Sequence, residues 1–144
     1  MTGRLSARDR HRARESALQM LYQYELAGTD PERIFAEFEE LKQAPPAAGE
    51  FAVRLVRGVV GRLTELDRLI EAQADHWRLE RMATVDRNVL RFALYELLFE
   101  PDTPAAVVID EAVEIAKRFG SEKSGQFVNG VLDGYLHSGS AGRS

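Results

Sequence analysis

A chain of 144 residues with 44% hydrophobic content is long enough to bury a core of its own, as one compact domain. The formal net charge is −4 and there is no cysteine, which excludes disulfides, thiolate metal sites and a cysteine nucleophile. No apolar run reaches the length of a membrane span and no signal-like segment follows the N-terminal charges, so the expected location is the cytoplasm, with no membrane partner.

The first element departs from that acidic balance. Residues 1–14 carry Arg4, Arg8, Arg10, Arg12 and Arg14 against Asp9, a local charge of +4 that leaves −8 on the rest of the chain. Beyond this basic arm, Ala13, Ala17, Leu18, Leu21 and Leu26 fall mostly at helical spacing and predict a core face, with Gln19 and Tyr22 on the opposite or flanking side. Guanidinium groups pair bidentately with phosphate and an exposed tyrosine can stack on a base, so the arm reads as a nucleic-acid footprint. The bland alternative is a solvated basic tail.

Gly28 terminates that helix, and Asp30-Pro31 supplies a cap and a first-turn proline for a second. The second helix carries Ile34, Phe35, Phe38 and Leu41 as one stripe and is expected to end at Pro45-Pro46. A third, the longest periodic segment, begins near Gly49 and runs through Phe51, Leu55, Val59, Leu63, Leu66 and Ile70 towards Ala74, as a spine between two halves. His76-Trp77 reads as a connector and packing plug, before a cap at Thr84.

The fourth helix, Val85 to Phe99, is apolar around so much of its circumference that it belongs at the centre of a bundle, with Asp86, Arg87, Arg91 and Glu96 left for solvent or a partner. The fifth, Ala105 to Phe119, follows Thr103-Pro104 and turns Val108, Ala112, Ile115, Ala116 and Phe119 inward. Its carboxylates Asp110, Glu111 and Glu114 lack a convergent histidine and read as a solvated face, so no metal site or catalytic residue is expected. Ser121 caps the last helix, in which Gly125, Gly130 and Gly134 each cost about 1 kcal/mol relative to alanine and imply close approach of another backbone or a ligand. Residues 138–144 form a glycine-serine tail.

Four stretches carry a family resemblance: Arg10-His-Arg12-Ala-Arg14-Glu-Ser-Ala-Leu-Gln-Met-Leu-Tyr22, Val85-Asp-Arg-Asn-Val-Leu-Arg-Phe-Ala-Leu-Tyr-Glu-Leu97, Val108-Ile-Asp-Glu-Ala-Val-Glu-Ile-Ala-Lys-Arg-Phe-Gly120 and Phe127-Val-Asn-Gly-Val-Leu-Asp133. In this order they resemble the NusB family of bacterial transcription antitermination factors, over nearly the whole chain apart from Gly28 to Gly49 and the tail. The resemblance implies an all-α fold, a compact bundle of about six to seven helices in two packed subdomains, with the N-terminal half at about 8–74 and the C-terminal half at about 75–137. It also implies a non-enzymatic factor without cofactors that binds single-stranded boxA RNA of nascent ribosomal transcripts. Its partners would be NusE, a small-subunit ribosomal protein, and the transcription elongation complex with other Nus factors.

Carried over by position, Arg8, Arg10, Arg12 and Arg14 match the family's arginine-rich RNA-binding motif, and Tyr22 and Phe127 match aromatic positions near the RNA. Asp86, Arg87 and Arg91 match the face for NusE. Two departures bear on RNA binding: Asp9 interrupts the arginines, and Lys123 occupies the loop before Phe127 where an acidic residue is often found. Two other readings stay open, a helical protein-interaction module and an RNA-binding domain acting with an RNA-modifying enzyme. Against an enzyme stand the missing cysteine and the lack of a glycine-rich cofactor turn after a strand. The oligomeric state, monomer or homodimer, is not legible.

Overall fold

The structure, a computed structural model, describes residues 5–28, 30–74 and 78–138. The expectations for Arg4, His76, Trp77 and residues 139–144 lie outside these. Among the described residues there are eight α-helices, one 3-10 turn and no strand, so the chain is all-α with more helices than the periodicity predicted.

The helices are α1 (Ala7–Ala27), α2 (Pro31–Glu37), α3 (Glu39–Gln43), α4 (Pro46–Gly61), α5 (Leu63–Gln73), α6 (Thr84–Phe99), α7 (Ala105–Phe119) and α8 (Glu122–Leu136), with the 3-10 turn at Leu79–Arg81 before α6. Their starts follow from local chemistry. Ser6 accepts from the Asp9 amide at 3.0 Å, Asp30 from the Glu32 amide at 3.1 Å and Ser121 from the Ser124 amide at 3.2 Å, satisfying donors that a first helical turn leaves open. Gly28 closes α1 in the left-handed conformation, φ 61° and ψ 23°, where a side chain would be strained. Thr84 and Thr103 do not cap. Ala83 and Pro104 stand at those N-cap positions, without a side-chain hydrogen bond to the helix.

Two expected helices are each split. Phe38 adopts extended dihedrals (φ −81°, ψ 111°), ending α2 and starting α3, and the turn buries its ring. The long spine breaks at Arg62 (φ −128°, ψ 28°), whose carbonyl accepts from the Leu66 amide to begin α5. The Pro45-Pro46 pair separates helices as expected, but Pro46 also opens α4, its fixed φ suiting a first turn.

The chain divides after Gly61 into two compact units. In the first unit α1 packs on α4 and α2, and α2 on α4. Its core includes Ala17, Leu18, Leu21, Ile34, Leu55 and Val56; Leu26, expected inward, is 71% exposed at the end of α1. In the second unit α6 packs on α5, α7 and α8, the central position that its broad apolar surface required. Phe119, also expected inward, is exposed beside the Arg118 guanidinium, 5.3 Å from the ring centroid.

Two of the three α8 glycines are closely approached, but by side chains and not by the backbone or ligand expected. A Cβ on Gly134 would lie 2.9 Å from Gln73 Oε1 of α5, and one on Gly125 would lie 2.6 Å from the Lys117 side-chain stem of α7. Gly130 has open space around it.

Candidate nucleic-acid interface

Within the described residues, most of the basic segment is helical. Helix α1 begins at Ala7, so Arg8 to Arg14 already lie on a helix and their directions follow its period. Arg8 and Arg12, four residues apart, are exposed, and further along the same helix Gln19 and Tyr22 are exposed too, Tyr22 at 47%. Arg10 and Arg14, also four apart, turn to α4 instead. Their guanidinium carbons sit 5.2 and 5.4 Å from the centroid of Phe51, and Arg54 adds a third cation at 5.4 Å. Phe51 is fully buried and Arg14 is 2% exposed, so Arg14 is part of the core and is withdrawn from the candidate phosphate contacts. Arg54 was missed in the sequence; its position three residues after Phe51 on one helix was the available signal.

Two acidic residues moderate this charge. Asp9 sits in the first turn of α1, where a carboxylate complements the helix N-terminus, so it serves the helix as well as interrupting the arginines. Glu15, four residues after His11, holds its Nε2 at 3.0 Å. Arg12, Glu15, Ser16 and Gln19 line one side of a groove of about 320 Å3, closed by Glu40, Gln43 and Gly49 of the same unit.

In the second unit, the residues expected to meet a protein partner are mostly committed within the fold. Arg91 is buried, donating from Nε and Nη2 to the two Asp67 oxygens of α5 at 2.8 and 3.0 Å and from Nη1 to Asn88 Oδ1 at 3.0 Å. That two-pronged pair ties α5 to α6, and Arg91 is therefore a structural residue and not a solvent-facing one. Glu96 is fully buried. Arg87 is half-buried and donates to the Met82 carbonyl at 2.7 Å and Thr84 Oγ1 at 3.4 Å. Burial and the neighbouring Arg91 charge push its pKa down.

Asp86 is different. Its Oδ1 is buried and has no hydrogen-bond partner among the described residues. Asp86 lines a cavity of about 350 Å3 together with Arg81, Met82, Ala83, Ser121, Lys123, Ser124 and Phe127. Lys123 is exposed in the first turn of α8, not in the loop expected for it, because Ser121 starts the helix just before it. Phe127 is half-buried on the next turn. Thus one RNA candidate pair, Lys123 and Phe127, shares its cavity with a residue expected on a different, protein-binding face. Arg81 is an additional cation at that rim, missed because nothing local marks it.

Comparison with known proteins settles the family. The family model described as the NusB family matches residues 11–137. The chain belongs to the NusB family. The transcription antitermination protein NusB of Sorangium cellulosum is 49% identical over 124 residues, covering 86% of this chain and 89% of that protein. NusB of T. maritima superposes with a TM-score of 0.81 at 44% identity, over 93% of this chain and 91% of that one. A third NusB-family likeness, at TM-score 0.81 and 35% identity over 90% of this chain and 97% of the other, is a crystal structure of antitermination factors NusB and NusE in complex with double-stranded RNA.

Proposed function

We propose that this chain is a non-enzymatic transcription antitermination factor, acting in the cytoplasm on the boxA element of nascent ribosomal RNA together with NusE and the elongation complex with other Nus factors. The observation that carries the RNA reading is the outward stripe of α1, where Arg8, Arg12 and Tyr22 are exposed on a helix whose other face is core. NusB-family membership and the relatives named as antitermination proteins support the process. The NusB–NusE complex with RNA supports both partners.

The chemistry fits an adaptor. Exposed guanidiniums neutralise phosphates without sequence preference, while stacking and base-edge contacts supply selection. Of the four arginines expected at the RNA, Arg8 and Arg12 meet the phosphates and Arg10 contributes from a half-buried position over Phe51. NusE is retained as protein partner. Its contact cannot rest on Arg91, whose guanidinium is spent on Asp67 and Asn88.

The test is a fluorescence titration of boxA RNA, with and without NusE. Arg8→Ala with Arg12→Ala should weaken binding across RNA sequences while the unfolding temperature stays put. Undiminished affinity at low salt would remove α1 from the RNA site.

A further inference from the structure

The groove of about 320 Å3 in the first unit gathers polar side chains that the fold itself does not use. Asp9, Arg12, Ser16 and Gln19 line it from α1, and Glu40 and Gln43 line it from α3. Among the described residues, none of these six side chains is engaged in a hydrogen bond or an ion pair, whereas Glu15 on the same wall is held by His11. Beneath them Ala13, Ala48 and Ala52 are buried, a floor without long side chains. Convergent polar groups over an apolar floor, at a volume near the lower end of the roughly 300 to 1,000 Å3 of small-molecule pockets, are the usual form of a ligand site. The α3 wall is lightly held: none of its residues is buried, and Phe38 starts it without a side-chain cap.

Resting on the RNA-binding reading above, we propose that this groove takes an adenine nucleotide, presented by the RNA as an unstacked residue. The carboxylates of Asp9, Glu15 and Glu40 accept hydrogen bonds and donate none. Uracil, cytosine and guanine each carry a carbonyl oxygen that would be set against them; adenine carries none. The two hydrogens of its 6-amino group serve one carboxylate and one glutamine carbonyl, and the glutamine amide returns a bond to N7, the bidentate pairing that glutamine makes with adenine. Gln19 and Gln43, on facing sides of the groove, can each supply that amide. Arg12, exposed, is free to take the phosphate. A bare polyanion would meet three carboxylates, and a basic peptide would meet Arg12. A nucleotide offers an anion to one and an amino group to the others. An RNA residue is favoured over a free nucleotide because Arg12 and Gln19 are exposed on α1 with Arg8 and Tyr22, so a strand lying along that helix passes the mouth of the groove.

The experiment titrates the full chain with hexamers of adenylate, uridylate and purine ribonucleotide, the last lacking the 6-amino group, at one salt concentration so that the phosphate contribution is constant. The adenylate hexamer should bind roughly tenfold more tightly than either of the others, as expected for a bidentate base contact. Gln19→Ala combined with Gln43→Ala, checked for an unchanged melting curve, should bring the three to within about twofold. Because α3 is lightly held, the adenylate hexamer should also slow amide hydrogen exchange at Glu39–Gln43 in the natural chain, and the uridylate hexamer should not. Equal affinity of the natural chain for the three hexamers overturns the pocket, as does unchanged exchange in α3 under saturating adenylate or full discrimination by the folded double variant. Adenosine monophosphate slowing that exchange as much as the hexamer does would overturn the assignment to RNA, and slowing by NusE without RNA would return the groove to a protein partner. Binding of boxA RNA without any adenylate preference removes only the pocket, whereas no binding of boxA RNA, with or without NusE, would overturn the proposed function itself.

Discussion

Arg14 shows most clearly how burial changes what a charged residue does. Held over the buried Phe51 ring with 2% of its surface exposed, it contributes through cation–π attraction and the packing of its stem. Arg14→Ala is expected to destabilise the chain by about 2 kcal/mol in urea unfolding, whereas Arg8→Ala, at an exposed position, should stay within about 0.5 kcal/mol. RNA titration should give the reverse ranking once only folded protein is counted. The second buried cation, Arg91, follows the same logic. Asp67→Ala leaves its guanidinium without the forked carboxylate and is expected to cost about 3 to 5 kcal/mol. Combining it with Arg91→Met should restore part of the stability, and a double-mutant cycle measures how much.

Helix α8 separates its glycines by what surrounds them. A Cβ at Gly134 would meet Gln73 and one at Gly125 would meet the Lys117 stem, whereas Gly130, within the same helix, has nothing within 4 Å. Gly130→Ala is therefore expected to raise stability by about 1 kcal/mol, the helix-propensity difference, read as a higher unfolding temperature. Gly28→Ala should act oppositely, lowering stability by about 1 to 2 kcal/mol, because φ 61° sets a Cβ against the backbone. Weaker RNA or NusE affinity in the stabilised Gly130 variant would mark that bare stretch of α8 as a binding surface.

For the whole molecule the governing variables are salt and pH. For every phosphate that goes unneutralised when Arg8 and Arg12 are replaced, the log–log salt slope of RNA binding should become shallower by about 0.7 on a single strand or about 0.9 on a duplex, so paired titrations show which form is gripped. Acid acts elsewhere. Arg57 donates to both Glu32 oxygens at 2.7 and 2.6 Å, joining α4 to α2, and this hydrogen-bonded pairing holds the Glu32 carboxyl below its ordinary pKa. Since the folded value lies below the unfolded one, the stabilisation is present above about pH 4.3, the ordinary glutamate value, and is lost as pH falls through the depressed value. Thermal melts should show Glu32→Gln converging with the natural chain in acid. Both groups are exposed, so the difference at neutral pH should be small and should shrink in about 1 M salt.

The sequence by itself determined the helical class, the caps at Asp30 and Ser121, the central place of α6 and the contrast between a basic beginning and an acidic remainder. These depend on periodicity, turn chemistry and composition, which act over a few residues and can be read along the chain. The four stretches resembling the NusB family lie within this legible part, and the family match over residues 11–137 spans all of them but Arg10. Which arginines face outward was decided only by tertiary structure. The helical period pairs Arg8 with Arg12 and Arg10 with Arg14, but only the packing of α1 on α4 tells which pair meets the Phe51 ring. The breaks at Phe38 and Arg62 were missed for a similar reason: their apolar stripes continue at helical spacing, and the turn is visible only in the backbone dihedrals. The Asp86 cavity was least legible of all. Residues 81–86 and 121–127 come together only when α6 and α8 pack, so no single stretch of sequence shows the cavity they line.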